Sequence, residues 1–415
     1  MRLGPPEYWR HKMNRDVTLL FATRITRLFA YGFLSVVLAL YLTGIGLSES
    51  QVGLLLTLTL AGDAAISLWL TTSADRMGHR RMLALGALLM ILAGVVFLLT
   101  RNPVILAIAA VIGVISPSGN EIGPFLSIEQ AGLTQLVADE KRTRVFAWYN
   151  LVGSFATACG ALTGGWLTQF FQSGGMSELE SYRMVLAGYA LAGLVLALCF
   201  RQLSPAVEIA ENSIHQSRTL GLHKSRRVVL KLSSLFALDA FAGGLIVQSM
   251  LAFWFHVRFG IDAGIIGSIF FGANVLAGIS ALLAVKIAKK IGLINTMVFT
   301  HIPSNILLML VPLMPSFPWA VGVLMARFSI SQMDVPTRQS YTLAVVSPDE
   351  RSAAAGVTSI ARSVGAALSP SLSGIFLGIP GLLSLPFFLC GGLKIIYDLT
   401  LWRQFRMLKP PEEQK

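Results

Sequence analysis

Apolar stretches close to twenty residues long recur along almost the whole chain, and this pattern limits the possible folds more than any other feature. About 20 helical residues cross the hydrocarbon core of a bilayer. Apolar residues make up 54% of the chain and charged residues 13%, about half the charged fraction of a soluble domain. The pattern predicts an integral, multi-pass membrane protein. The predicted spans, numbered 1 to 12, cover residues 17–43, 51–72, 81–100, 103–136, 143–171, 184–202, 231–258, 264–288, 292–313, 318–346, 352–378 and 381–402.

Basic residues fall mainly in alternate loops, so the net charge of +12 indicates membrane topology rather than nucleic-acid binding. Positively charged loops stay in the cytoplasm. We therefore expect both termini to be cytoplasmic and the membrane to be of the bacterial plasma (inner) membrane type. The longest hydrophilic connector runs from about Ser204 to Arg227. It predicts an N-terminal six-helix bundle in residues 1–202, a cytoplasmic connector in 203–230, and a C-terminal six-helix bundle with a cytoplasmic tail in 231–415.

The two halves are related in sequence. Ala-Asp-Glu-Lys-Arg at 138–142 recurs as Pro-Asp-Glu-Arg-Ser at 348–352, and each copy leads into a helix rich in small residues. Repeats of this kind are common in transporters, whose two bundles rock around a site at the bilayer midplane.

The loop after span 2 reads Asp75-Arg76-Met77-Gly78-His79-Arg80-Arg81. This motif resembles the cytoplasmic loop signature between helices 2 and 3 of the major facilitator superfamily. A glycine usually stands where this chain has Thr71. The resemblance covers nearly the whole chain. It implies an all-α membrane protein with twelve transmembrane helices in two pseudo-symmetric six-helix bundles.

The resemblance also implies a secondary transporter that works by alternating access, not an enzyme. In the superfamily the loop aspartate closes the cytoplasmic side by contacting the start of helix 11. The start of a helix favours an anion because its amides are free. The expected gating loop comprises Asp75, Arg76, Gly78, Arg80 and Arg81.

Ionisable residues inside the spans carry most of the functional information, because a charge at membrane depth is costly unless it pairs or lines a polar cavity. The resemblance implies a central cavity lined by helices 1, 4, 7 and 10, where most of these residues fall. The candidates for the substrate or proton pathway are Arg24, Arg27, Tyr31, Glu121, Glu129, Asp239, Arg327, Asp334 and Arg338.

Depth along the helices suggests which of these charges pair. Arg24 and Glu129 lie at similar depths, on the order of 12–15 Å at 1.5 Å per residue. Asp239 and Arg338 occupy the corresponding places in the second half, so we expect the same pair there with its charges exchanged. The residues then left for substrate or proton are Arg27, Glu121, Arg327 and Asp334. The alternative is that all eight charges form structural pairs.

Helix 4 is expected to be broken near its middle, because Pro117 and Pro124 lack amide hydrogens and glycines lie between them. Glu121 lies in this weak segment. Desolvation would favour its protonation, so Glu121 is the expected proton carrier, with Glu129 as a structural or gating partner. Asp63 in helix 2 and Arg362 in helix 11 are matched in depth and are expected to form an ion pair between the two halves.

Gly160, Ala161, Gly164 and Gly165 resemble the antiporter signature of exporters in the superfamily, where the second position is normally proline. Tight helix packing is the alternative interpretation. The sequence favours proton-coupled export of a small organic molecule. The alternatives are uptake or exchange of an organic anion, and a transporter-like sensor or scaffold. Scattered cysteines and histidines predict no metal site, and nothing predicts a cofactor or nucleic-acid partner. The expected partners are a small-molecule substrate, protons and the lipid bilayer, and the protein is expected to be a monomer.

Overall fold

The computed structural model describes residues 7–120, 125–137, 139–208, 223–347, 350–408, 410 and 413. These residues form helices, turns and loops, with no strand among them. Seven spans are single helices, and each begins and ends within six residues of its prediction. They are Glu49–Met77 (span 2), His79–Leu99 (span 3), Asp139–Ser173 (span 5), Glu178–Arg201 (span 6), Ala263–Ile291 (span 8), Leu293–Leu310 (span 9) and Leu385–Phe405 (span 12).

The remaining five spans are each built from two helical segments. They are Glu7–Ser35 with Leu38–Gly44 (span 1), Pro103–Ile112 with Phe125–Leu136 (span 4), Arg226–Gly244 with Gln248–Phe259 (span 7), Phe317–Phe328 with Asp334–Ala344 (span 10), and Arg351–Leu368 with Pro370–Leu377 (span 11). Short 3-10 turns at Pro205–Val207 and Val311–Leu313 follow spans 6 and 9. The predicted all-helical, twelve-span fold is therefore confirmed.

Spans 1, 4, 7 and 10 are interrupted at related places in the two halves. The break in span 4 contains Pro117 and Gly119, whose φ of 68° is easily adopted only by glycine. Backbone groups freed at membrane depth need partners from the protein. The Ser249 amide donates to the Pro117 carbonyl at 3.0 Å, and the Ser373 hydroxyl donates to the Leu245 carbonyl at 2.6 Å. Hydrogen bonds from neighbouring spans thus stabilise the breaks in spans 4 and 7.

The first and last described residues, Glu7 and Glu413, lie on the same side of the bundle, here called the terminal side, because the number of spans is even. The two halves join on the opposite side, where span 2 packs on span 11 and span 5 packs on span 8. The contacts are backbone-close: a Cβ on Gly374 would lie 2.8 Å from the Gly53 Cα, and one on Gly165 would lie 3.0 Å from the Gly267 Cα.

Hydrogen bonds reinforce this closure. The Ser371 hydroxyl donates to Thr57 at 2.8 Å, and the Trp166 indole donates to Ser268 at 2.9 Å. The Gln248 amide donates to the Ser35 hydroxyl at 2.8 Å. These hydrogen bonds between the halves lie in the part of the molecule away from the termini. The structure is therefore a state closed on the opposite side.

On the terminal side, one carboxylate in each half accepts the first backbone amide of a helix, at equivalent positions of the two halves. Glu208 accepts the His79 amide at 2.5 Å at the start of span 3, and Glu413 accepts the Leu293 amide at 2.7 Å at the start of span 9. The preceding glycines, Gly78 and Gly292, have φ values of 95° and 87°. Each glycine permits the sharp turn, and each carboxylate compensates the free amides.

Of the expected gating loop, Gly78 ends span 2 as predicted. Arg80 extends toward the Arg201 carbonyl, with its Nη2 3.5 Å from that oxygen, and Arg81 is exposed. The side chains of Asp75 and Arg76 lie outside the described residues, so their gating role stays a prediction.

Candidate functional site

Glu129 is the centre of a buried polar cluster in the N-terminal half. Arg27 donates to both of its carboxylate oxygens, at 2.8 Å and 2.7 Å, and neither side chain is exposed. The Thr23 hydroxyl donates at 2.8 Å and the Tyr149 hydroxyl makes a further short hydrogen bond. A bidentate arginine pair is among the strongest ionic contacts in proteins. The cluster binds span 1 to spans 4 and 5.

The predicted contact of Glu129 with Arg24 is wrong, because Glu129 bonds Arg27 instead. Arg24 donates through Nε to the Tyr149 carbonyl at 2.7 Å, and its guanidinium carbon lies 4.4 Å from the centre of that ring. Side chains three residues apart leave a helix about 60° apart. Arg24 can therefore face span 5 while Arg27 faces span 4, a rotation that an estimate of depth alone ignores.

Tyr31 lies in the interior of the N-terminal half rather than on a cavity surface. Its side chain is fully buried, and its ring stacks on Tyr189 of span 6 at a centroid distance of 6.5 Å. Glu121, the expected proton carrier, lies outside the described residues.

A larger charge cluster surrounds Asp239 in the C-terminal half. Its Oδ1 accepts the Lys394 ammonium at 2.6 Å, and its Oδ2 accepts Arg362 at 2.9 Å and Arg338 at 3.3 Å. Arg338 also bonds Asp334, one turn earlier on span 10, at 2.6 Å. The predicted contact between Asp239 and Arg338 is therefore present. Spans 7, 10, 11 and 12 meet at this cluster.

Arg362 does not make the predicted contact with Asp63; it pairs with Asp239 within its own half. Asp63 accepts a hydrogen bond from Ser67 at 3.3 Å. Spans 2 and 11 do face each other, as expected, but they join through Thr57 and Ser371 near the closed opposite side. Asp63 and Arg362 lie farther along the two helices than this contact. Arg362 binds the carboxylate of Asp239 on span 7 instead of that of Asp63.

Arg327 differs from the basic residues of the two clusters. It lies ten residues into the first segment of span 10, about 15 Å along the helix. Among described residues its side chain has neither a hydrogen bond nor an ion pair. Its Nε is buried without a partner, and its guanidinium carbon lies 4.8 Å from the centre of the Phe328 ring. The rest of the side chain is partly exposed.

Comparison with known proteins places this arrangement in a family. A family model described as Major Facilitator Superfamily matches residues 20–370. The chain belongs to the major facilitator superfamily. It is also 29% identical over 419 residues to "Uncharacterized membrane protein YJR124C" of Saccharomyces cerevisiae, covering 94% of this chain and 93% of that protein.

Solved structures of superfamily transporters share the fold. The nucleoside transporter NupG aligns with a TM-score of 0.72 at 15% identity, over 94% of this chain and 99% of that one. A bacterial homologue of the human lysosomal transporter Spinster, in an inward-facing and occupied conformation, aligns with a TM-score of 0.73 at 16% identity, over 95% and 97%. A D-xylose-proton symporter gives 0.71 at 15%, over 96% and 99%. The protein is thus a multi-pass membrane transporter of this superfamily and not an enzyme.

Four functional candidates of this superfamily member were missed from the sequence: Tyr149, His301, Lys394 and Asp398. Lys394 and Asp398 lie one turn apart inside span 12 and are both buried. The cost of a charge at membrane depth applies to them as it does to the residues that were selected. Both lie on span 12, outside the four helices that the superfamily resemblance implies for the central cavity. No group of metal-binding side chains occurs among the residues that the structure describes.

Proposed function

We propose that the protein is a secondary transporter that moves a small organic anion by alternating access, with Arg327 binding the anionic group. One observation carries this proposal: Arg327 is a midspan guanidinium without a carboxylate partner among the described residues. A charge at this depth is costly unless an opposite charge or a polar cavity compensates it. An arginine fork matches a carboxylate or phosphate geometrically.

Four other midspan cations support this assignment because they contact carboxylates, whereas Arg24 donates to the Tyr149 carbonyl. Arg27 bonds Glu129, Arg338 bonds Asp334, and Lys394 bonds Asp239. Arg362 shares Asp239 with two other cations, and 34% of its side chain is exposed. It is therefore a second contact for a substrate anion. These observations favour an anion over a neutral molecule.

Alternating access is supported by the closure that the described residues form on the opposite side. The halves meet through Gly53 with Gly374 and Gly165 with Gly267, away from the termini. We propose that residues 1–202 and 231–415 move as the two bundles, joined by residues 203–230. We also propose that both termini are cytoplasmic in a plasma membrane of bacterial type, so that the described state is open to the cytoplasm.

The glycines of span 5 do not determine the direction of transport. Export was inferred from these glycines and from the carboxylates inside the membrane. In the structure, a Cβ on Gly160 or Gly164 would collide with the backbone of span 1, and one on Gly165 with the backbone of span 8. Packing accounts for these glycines, so they do not favour export over uptake.

The test is counterflow in proteoliposomes with a panel of radiolabelled carboxylates and phosphate esters, each matched to an uncharged amide or alcohol. We expect counterflow of at least one anion and of none of the uncharged partners. Arg327→Gln should weaken apparent affinity about 100-fold, the scale of a lost buried charge contact. The control is Arg258→Gln, since Arg258 is an exposed arginine beside an aromatic ring. Preference for the uncharged molecules, or full activity in Arg327→Gln, would contradict the proposal.

A further inference from the structure

A second polar cluster of the C-terminal half lies between spans 9 and 12. His301 Nδ1 is 2.9 Å from Asp398 Oδ1, and the Asn305 side-chain amide donates to Asp398 Oδ2 at 3.2 Å. All three side chains are buried, and Asp398 and Asn305 have no exposed surface. The proposed substrate site uses none of them. A buried histidine bound to a carboxylate therefore needs its own explanation.

We propose that His301 and Asp398 form a proton-binding site that controls, through Lys394, how tightly Asp239 binds Arg362. Proton binding itself is independent of the substrate. The effect on transport rests on the proposed function, because it requires that Arg362 contacts the anion.

The chemistry is a single protonation. With Asp398 ionised, the hydrogen bond requires a proton on Nδ1 of His301, which leaves a lone pair on Nε2. A proton that binds Nε2 converts the neutral imidazole to imidazolium. The charge of the pair then changes from −1 to 0. Histidine is the side chain whose charge ordinarily changes between about pH 5 and 8.

Lys394 connects this pair to Asp239. It lies one helical turn before Asp398 on span 12, within reach of an i,i+4 charge interaction, and its ammonium donates to Asp239 Oδ1 at 2.6 Å. When the pair carries −1, Asp398 competes with Asp239 for Lys394. When the pair is neutral, Lys394 is bound to Asp239 alone. Asp239 is then better neutralised and binds Arg362 less tightly.

Arg362, once released, can bind a substrate anion. Protonation of His301 and binding of the anion therefore favour each other. The reciprocity follows from linkage between two sites that share one intermediate group. The geometry predicts that proton and anion move together.

Among the charged groups on the helices that pack against span 9, Arg327 on the first segment of span 10 has no hydrogen-bonded or ion-paired partner among the described residues. Span 10 contributes Asp334 and Arg338, which bond each other at 2.6 Å. On span 12 the Tyr397 ring packs edge-on against the His301 ring, with centroids 6.2 Å apart. Span 8 also packs on span 9, but Lys286, Lys289 and Lys290 are exposed near its end. The proton is thus taken up by the His301–Asp398 pair.

The first experiment needs no substrate. Nitrogen-15 histidine spectra of the full-length protein in nanodiscs are recorded between pH 5 and 8.5. We expect one buried histidine to titrate and its signal to be absent in His301→Gln. The control is His256→Gln, because His256 bonds only a backbone carbonyl, that of Ile261, at 2.9 Å. A His301 signal that stays in one protonation state over this range would overturn the proposal.

Lys394 provides the test of coupling. In Lys394→Met a cation beside the pair is lost, so the pair should bind its proton more tightly and its titration should move toward higher pH. Lys394→Arg retains the charge and should leave the midpoint of the titration unchanged. Monodisperse elution with a wild-type thermal transition is required of each variant. Equal titrations in wild type and Lys394→Met would refute the connection through Lys394.

The transport experiment uses whichever labelled anion shows counterflow. His301→Gln should retain counterflow but lose at least ten-fold of the accumulation driven by a pH gradient. Gradient-driven accumulation at the wild-type level in His301→Gln would refute the proton role. If no anion shows counterflow, the proposed function fails while the histidine titration still decides the proton site.

Discussion

At the scale of single residues, Glu129 is the contact on which the N-terminal half most depends. It accepts two hydrogen bonds from Arg27 and others from Thr23 and Tyr149, with no exposed surface. Glu129→Gln removes the charge and leaves the guanidinium poorly compensated. We expect a loss of about 3–5 kcal/mol in unfolding free energy, the usual cost of breaking a buried pair from one side.

This loss is measured by unfolding in SDS, with Glu178→Gln as the control, since Glu178 is exposed. A change under about 1 kcal/mol in Glu129→Gln would show that the pair contributes little.

Sequence reasoning located the charged residues of the site but not all of their partners. Charge at membrane depth is visible in the sequence because it is rare, and it selected Glu129, Asp239, Arg327 and Arg338. Partner choice depends on helix rotation and on which bundle a side chain faces. Sequence spacing does not give these, so Arg362 was assigned to the wrong carboxylate.

At the scale of helices, the start of span 7 is capped by a carboxylate from the loop before span 11. The Ser225 hydroxyl and the backbone amides of His223, Ser225 and Lys224 donate to Glu350 and lower its pKa to about 2. A lowered folded-state pKa means that the stabilisation is complete above the ordinary value of 4.5 and is lost as pH falls toward the folded value.

Thermal unfolding of wild type and Glu350→Gln should therefore differ near neutral pH, with the wild type more stable. The difference should shrink steadily between about pH 4.5 and pH 2. A difference that is independent of pH across this range would show that the Glu350 charge does not cap span 7.

The glycine contacts between spans 2 and 11 determine whether the opposite side can close. A Cβ on Gly374 would lie 2.4 Å from the Glu49 carbonyl oxygen, so Gly374→Ala should disfavour closure and populate a state open on that side. Double electron–electron resonance between spin labels at the exposed positions 50 and 379 should show a longer distance in Gly374→Ala than in the wild type. Gly322→Ala is the control, because a Cβ there meets nothing within 4 Å. Unchanged distances in Gly374→Ala would contradict this role.

Helix interruptions show how far sequence reasoning reached at this scale. Prolines and glycines predicted the break in span 4, because proline removes an amide donor. The break in span 7 falls at residues 245–247, directly after Gly243 and Gly244, and the sequence analysis did not predict it from these glycines. It depends on tertiary partners such as the Ser373 hydroxyl.

At the scale of the whole molecule, transport requires that the joint between the halves opens and closes. Thr57 and Ser371 lie on opposite halves with their hydroxyl oxygens 2.8 Å apart. A disulfide between cysteines at these positions, in a background without Cys159, Cys199 and Cys390, should fix the described state. Rocking bundles cannot complete a cycle with one side permanently closed. Oxidised Thr57→Cys/Ser371→Cys should lose transport, and a reductant should restore it.

A matched disulfide within the N-terminal bundle should not block transport. Thr71 and Ser127 have hydroxyl oxygens 3.1 Å apart, and both belong to the N-terminal half. A disulfide there joins spans 2 and 4, which move together if each half is a rigid body. Counterflow of a labelled anion is measured for both pairs, oxidised and reduced, with cross-linking verified by mass spectrometry. Equal inhibition by the two disulfides would mean that spans 2 and 4 also move relative to each other. Full transport through an oxidised Thr57→Cys/Ser371→Cys protein would refute alternation around this joint.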